Sequence, residues 1–368
     1  MKKLFYFAAA AVALAACAKN EVIPVNSGEN QEITFNVAPK TKADPNPKTE
    51  AFSTNNVFAS WAYYLPNTEG TSWDKNRTDA KIYIGKEGDA GVTISHDDVN
   101  NVWKNSGVSY YWPKDGKLTF FAYSLNRDNL DLVHVSHTHP IYCYNRDNAY
   151  GINATIDLKE NPNLDLLVAD IATDKTQNET FHSINGVPTL FKHKFSRVQF
   201  AVKKNENYKD ATIKLNSILF KGVVNSGSYW QYYKEDGKSN FTENYYTEGG
   251  TRGSAVYIDN SDFEVASATD FVPVTETSET IYIYMPQDFI GVTDEAKVAT
   301  IKVAYTITYD NGFSENRTRT LNVKDIFERW EMGKKYTFNL IFSLNEITWA
   351  PVVEDWEDVK NTTGKEVA

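Results

Sequence analysis

The chain has 368 residues, 41% of them hydrophobic and 23% charged, and carries a formal net charge of −10. This is the composition of a globular protein large enough for two ordinary domains or one large one, and its acidity without a basic block argues against a nucleic-acid surface. Aromatic residues reach 14%, with 22 Tyr, 20 Phe and 8 Trp, which favours strands.

In chain order, Lys2 and Lys3 precede an apolar run from Leu4 to Leu14. The run has the length of a signal-peptide core and is too short to span a bilayer as a helix. It ends in Leu14-Ala15-Ala16-Cys17, which resembles the lipobox of bacterial lipoproteins. There a Cys takes a diacylglycerol thioether and becomes the new N-terminus; the alternative is an ordinary cut near Ala15-Ala16. With Cys17 lipidated, Cys143 is the one remaining thiol, so no disulfide framework is expected. A polar tether leads to the strand-like Glu32-Ile33-Thr34-Phe35-Asn36-Val37. The basic stretch Pro39-Lys40-Thr41-Lys42-Ala43 follows.

From Val57 to Lys203, short apolar-aromatic runs are broken by Gly, Asn, Asp and Pro, the pattern of a β-sandwich. Asp115-Gly116 reads as a hairpin turn between Tyr110–Pro113 and Leu118. In the segment Leu190–Val202, Phe191, His193 and Phe195 occupy odd positions, whereas Val198, Phe200 and Val202 occupy even ones. This parity change predicts a β-bulge near Ser196-Arg197, with His193 a packed, hydrogen-bonded strand residue rather than a catalyst. A polar stretch places a domain boundary near 172–188. Tyr229–Asp262 reads as long hairpins or surface loops. Ile301 to Tyr309 and Tyr336 to Leu344 alternate with a period of two, and Asp310-Asn311-Gly312 reads as a turn. The one short helical candidate is Val323–Trp330, with Val323, Ile326, Phe327 and Trp330 on one face and Gly333 as its stop.

Chemistry-bearing clusters are sparse. His137, His139 and Cys143 could approach a metal, but His134 points the other way and Pro140 breaks the register, so no metal or cofactor is expected. Asp74–Asp79 has the acidic start of a calcium loop but Asp79 where Gly is required and Gly85 where Glu is required. No nucleophile elbow, zinc-protease helix or phosphate loop is present, and no enzyme activity is expected.

Several short signatures, in order, resemble the fimbrillin family of Bacteroidales. They include Leu14–Cys17, Ile33–Phe35 with Thr41–Ala43, Tyr111–Pro113 with Leu118–Tyr123, and Asp165–Ala169. Leu190–His193 with Arg197–Phe200, Tyr282–Gln287 and Trp330–Phe338 complete the set. The resemblance implies an all-β fold with little helix: two transthyretin-like β-sandwich domains joined by Greek-key-type connections. It implies a signal peptide over 1–16, a lipid-anchored pro-segment over 17–43 with a removable first strand, and sandwiches over 44–180 and 181–368. It also implies a trypsin-like cut between Lys42 and Ala43, with Lys40 and Lys48 as fallbacks, followed by polymerisation through strand exchange. Loss of Ile33, Phe35 and Val37 would leave an apolar groove with unpaired backbone, a template for another strand. The donor expected from the residues is 346–356, where Ile347, Trp349 and Val353 share a face and each buried side chain contributes about 1.5–3 kcal/mol. The same segment could instead be the last strand of its own domain. Expected partners are other copies of the chain or other fimbrial subunits, the outer membrane through lipid on Cys17, and a host or bacterial surface ligand. The competing reading is a surface lipoprotein that does not polymerise, either a fimbrial anchor or tip or a glycan-binding module using Trp73, Trp103, Tyr229 and Trp230.

Overall fold

The computed structural model describes residues 31–37, 50–126, 141–146, 149–159, 164–177, 186–207, 211–233, 242–246, 252–259, 261–274, 283–344, 346–356 and 359–361. Among them the fold is nearly all β, with one four-residue helix, Trp73–Asn76, on the stretch whose acidic spacing hinted at a calcium loop. No described helix is long and apolar enough to cross a membrane.

A twelve-stranded sheet dominates the N-terminal half. Its central strands, Phe58–Leu65 and Lys117–Ser124, are apolar on both faces and therefore bury both. Ala59, Trp61 and Tyr63 enter one core, whereas Phe58 and Ala62 enter another. The sheet folds back on itself: Phe52, on its last strand, stacks on Phe191 and lies 5.3 Å from Trp103. A four-stranded sheet covers the other face, ordered Thr242–Tyr246, Ser226–Tyr233, Ala149–Asp157, Ile141–Arg146. The C-terminal half closes a third core between a six-stranded and a five-stranded sheet. Phe200, Phe338 and Leu340 of the first meet Ile218, Phe220 and Val303 of the second.

Two alternating patterns become the strands expected. Thr300–Tyr309 buries Ile301, Val303, Tyr305 and Ile307 and turns at Gly312 into Ser314–Asn322. Lys334–Phe342 buries Tyr336, Phe338, Leu340 and Phe342.

Other expectations change. The parity switch after Phe195 is not a bulge. Phe191–His193 belongs to the twelve-stranded sheet and Ser196–Lys204 to the six-stranded one, so the chain changes sheets at Lys194-Phe195. Each strand keeps its own alternation because each faces a different core. Val323–Trp330 forms one 3₁₀ turn, Val323–Asp325, and a two-residue strand, Arg329–Trp330, although all four apolar residues of the proposed face are buried. Gly333 consequently ends no helix; its N–H donates to the Phe195 carbonyl at 2.9 Å. Gly116 precedes a strand that pairs with Phe58–Leu65, so Tyr110–Trp112 is left to bond elsewhere. Of the two readings of Tyr229–Asp262 the hairpin holds, since Ser226–Tyr233 pairs antiparallel with Thr242–Tyr246, while Arg252–Ile258 pairs instead with Ala211–Val224.

The two halves are threaded through each other. Ala211–Val224 belongs to the C-terminal five-stranded sheet, yet Ser226–Tyr233 directly after it pairs with Ala149–Asp157. The C-terminal Val359–Asn361 returns to the twelve-stranded sheet between Phe191–His193 and Glu50–Phe52.

Candidate functional site: a first strand held in a groove

Residues 31–37 lie as a strip across the N-terminal body. Ile33, Phe35 and Val37 are buried, at 3%, 4% and 0% exposure, because odd positions face the inner core. Phe35-Asn36 runs parallel to Val187-Pro188 on one side and pairs antiparallel with Trp103 on the other, so the strip is internal to the sheet. Val187 and Thr189 donate their N–H groups to the Thr34 and Asn36 carbonyls at 2.7 and 2.8 Å. On the far side Ile33 N–H donates to Tyr110 at 2.7 Å and Trp112 N–H to Gln31 at 2.9 Å. These bonds take up the backbone of Tyr110–Trp112. The floor is aromatic: the Phe35 ring meets Phe58 at 5.4 Å and Phe120 at 5.8 Å, both edge to face.

Gly186 permits the strip to close so tightly. Its φ is +85°, and a Cβ there would sit 2.7 Å from the Phe35 carbonyl carbon and 2.8 Å from that of Thr34. At the rim, Lys104 pairs with Asp97 at 2.8 Å. Hydrogen bonds from Lys104 and Asn100 hold the Asp97 carboxyl well below the usual carboxylate range, and Lys104 is raised by Asp97, with a smaller contribution from Glu32 on the strip itself.

The C-terminal segment follows the edge of the six-stranded sheet. Ile347–Trp349 and Val352–Asp355 pair with Lys334–Phe342 in one continuous antiparallel register: Ile347 opposite Phe342, Trp349 opposite Leu340, Val353 opposite Tyr336. The three residues therefore share a face. Ile347 is buried, while Trp349, Val352 and Val353 are 38%, 41% and 49% exposed. Pro351 lies at the gap between the two pieces, where an edge strand tolerates a missing donor. Trp356 then leaves the edge, donates its N–H to Gly333 at 2.7 Å and stacks on His193 at 3.8 Å between ring centroids. His193 is buried and its Nδ1 lies 3.0 Å from Asp165, whose other oxygen accepts from Asn126 at 3.1 Å. His193 is thus the packed, hydrogen-bonded strand residue its sequence position indicates, whereas an isolated Gly before Val-Pro was the one signal for the Gly186 cradle.

Cys17, Lys42 and Ala43 lie outside the described residues, as do His137 and His139. Cys143 stands opposite Ile152 in the four-stranded sheet. Among the described residues no group of three or more His, Cys, Asp or Glu could hold a metal. Of the aromatics named for a glycan platform, Trp73, Trp103 and Tyr229 are at most 2% exposed, which corrects that assignment: they are core residues. Trp230 is half-buried on the opposite face of its strand from Tyr229.

A family profile described as fimbrillin-like matches residues 67–356. The chain belongs to the fimbrillin-like family. Its fold is similar to that of a fimbrial protein from Bacteroides vulgatus, at 18% identity and a TM-score of 0.56, covering 89% of this chain and all of that one. A cell adhesion protein described as putative, from Bacteroides uniformis, matches at 14% identity over 90% of this chain and 99% of its own, with a TM-score of 0.45. The C-terminally truncated tip fimbrial protein of Porphyromonas gingivalis matches at 9% identity over 84% and 97%, with a TM-score of 0.31. No curated protein matches the chain.

Proposed function

We propose that this fimbrillin-like chain is a non-enzymatic structural subunit of cell-surface fimbriae. It is exported as a lipoprotein on Cys17, cut after Lys42 and assembled with other subunits by strand exchange. The observation that carries this reading is the position of Ile33–Val37. The strip is short, apolar and internal to a sheet, and it is joined to the body through a stretch rich in Lys.

Its loss would open a slot with two unpaired strand edges, Val187-Pro188 and Val102–Asn105, over the rings of Phe58 and Phe120. An alternating apolar strand from another subunit matches that slot. The segment 347–353 has the alternation, and as an edge strand it is paired on one side, so its release breaks one ladder rather than two. Between strand exchange and retention of the segment at its own edge, its half-exposed Trp349, Val352 and Val353 favour exchange.

The test is limited trypsin treatment of the exported protein with N-terminal sequencing of the product. The expected product starts at Ala43, loses 31–37 and forms detergent-resistant ladders that Lys42→Ala delays. A cut protein that keeps the strip bound and stays monomeric would overturn strand exchange.

A further inference from the structure

The free edge of the six-stranded sheet is independent of the slot. Ile347–Trp349 and Val352–Asp355 pair with Lys334–Phe342 on one side, and among the described residues no strand pairs with the other. Two hydrogen bonds fix which backbone groups face which way. Ala350 N–H donates to the Asn339 carbonyl at 2.9 Å, and Trp356 N–H to that of Gly333 at 2.7 Å. Both are even positions in one unbroken register, so even residues bond inward. The backbone groups of Ile347, Trp349, Pro351, Val353 and Asp355 therefore point to the free side. Pro351 is the middle of those five positions and has no N–H.

Around that gap the edge has the character of a pairing surface. Trp349, Val352 and Val353 are exposed, as is Pro351 itself. The two carboxylates at its end are paired from within the sheet, Glu354 with Lys335 at 2.8 Å and Asp355 with Lys334. The segment also matches itself. Two copies laid antiparallel about Pro351 set Trp349 opposite Val353, Ala350 opposite Val352, Thr348 opposite Glu354 and Ile347 opposite Asp355. No like charges meet in that arrangement, and it has the two-fold symmetry of a closed dimer. On each side of the axis the outward groups of Trp349 and Val353 form a hydrogen-bonded pair. At the axis two prolines face each other where each would have to donate, with their rings in the path of the opposite strand. An apolar edge with free N–H groups is a template for another strand, and an edge proline closes it.

We propose that the edge 347–355 is a pairing surface for the same edge of a second copy, and that Pro351 holds it shut. Apolar side chains stay exposed there without drawing chains together, because the central bonding position admits no partner. The placement matters to a single residue. At position 350 a proline would forfeit the inward bond to Asn339 and leave the free side open.

The experiment compares the uncut wild type with Pro351→Val by sedimentation velocity over rising concentration, with amide exchange read by residue. The wild type is expected to stay monomeric, with the Trp349 and Val353 amides exchanging freely and that of Ala350 protected. Pro351→Val is expected to form dimers in which the Trp349 and Val353 amides slow about tenfold or more. Adding Val353→Lys to that variant should return it to a monomer, since a charge at the edge opposes pairing. Because Pro351 is exposed and donates no bond, the variant should fold. The exchange pattern of the wild type tests the geometry without any variant. Protected Trp349 and Val353 amides in the wild type, or a wild type that dimerises through this edge, would overturn the proposal. So would a Pro351→Val variant that stays monomeric, or one whose dimer leaves those two amides unprotected. None of these outcomes depends on cleavage at Lys42, so strand exchange and the closed edge fail separately.

Discussion

At the scale of single residues, two positions give sharp expectations. Gly186 is required twice, for its φ of +85° and for its approach to the backbone of Thr34 and Phe35; Gly291, at φ +75°, has nothing within 4 Å of a Cβ. Gly186→Ala should therefore destabilise the protein by about 2 kcal/mol or more, and Gly291→Ala by only the left-handed backbone cost of about 1–2 kcal/mol. Urea unfolding of both variants measures the difference, which isolates the contact with the strip. Tyr336 offers a pH-dependent expectation. It is buried, its oxygen accepts from the Glu331 N–H at 2.9 Å, and burial pushes its phenol up to about 12. The neutral phenol is thus favoured by folding: its contribution is complete below pH 10, where the unfolded phenol begins to ionise, and is lost as pH rises toward 12. Urea midpoints between pH 9 and 12 should fall for the wild type and fall less steeply for Tyr336→Phe. Tyr123 and Tyr305, also raised by burial, keep part of the slope.

At the scale of elements, the strip is held by backbone hydrogen bonds on both sides and by three buried side chains, among which the Phe35 ring is the anchor that meets Phe58 and Phe120. Phe35→Ala deletes that anchor, and a buried Phe→Ala change costs about 3–5 kcal/mol. The loss should be local. The Val187 and Thr189 amides, which donate to Thr34 and Asn36, should exchange with solvent roughly a hundredfold faster. Amides of Thr300–Tyr309 should be unaffected. Hydrogen exchange read by residue separates this from global destabilisation, in which both sets would accelerate together. This element was legible in advance because alternation over Ile33, Phe35 and Val37 is a strictly local signal, as it is for Ile301–Tyr309 and Tyr336–Phe342. The slot around it was not legible. Its walls come from Val187, Trp103 and Tyr110, and nothing local in those segments states which strand they will flank. The parity change after Phe195 was visible but ambiguous: a bulge and a change of sheet produce the same switch in sequence, and only the pairing partners distinguish them. The platform aromatics failed for a related reason. Tyr229 and Trp230 are adjacent and chemically alike, and strand alternation alone sends one inward and the other out.

At the scale of the whole molecule, two sandwich-like halves are tied where the chain passes between them. Phe195 sits in the N-terminal core although the next residue begins a C-terminal strand, Asn225 separates strands of different sheets, and Trp356 leaves the C-terminal edge to stack on His193. A division at residue 180 therefore cuts the four-stranded sheet in two and parts the C-terminal tail from Glu50–Phe52. With such threading, one half cannot open without pulling strands from the other. The expected consequence is a single cooperative unfolding transition with coincident fluorescence and circular-dichroism midpoints, despite the number of cores. The Trp356 stack is the tie most easily cut, since one side chain makes it and its strand lies at an edge. Trp356→Ala uncovers the buried His193–Asp165 pair and releases the route to Val359–Asn361. It should cost about 3–5 kcal/mol, and if the tie couples the halves it should split the transition in two, with the N-terminal half melting first. Calorimetry reads both results. A variant that is destabilised yet still unfolds in one step would show that the crossings at Phe195 and Asn225 suffice to couple the halves.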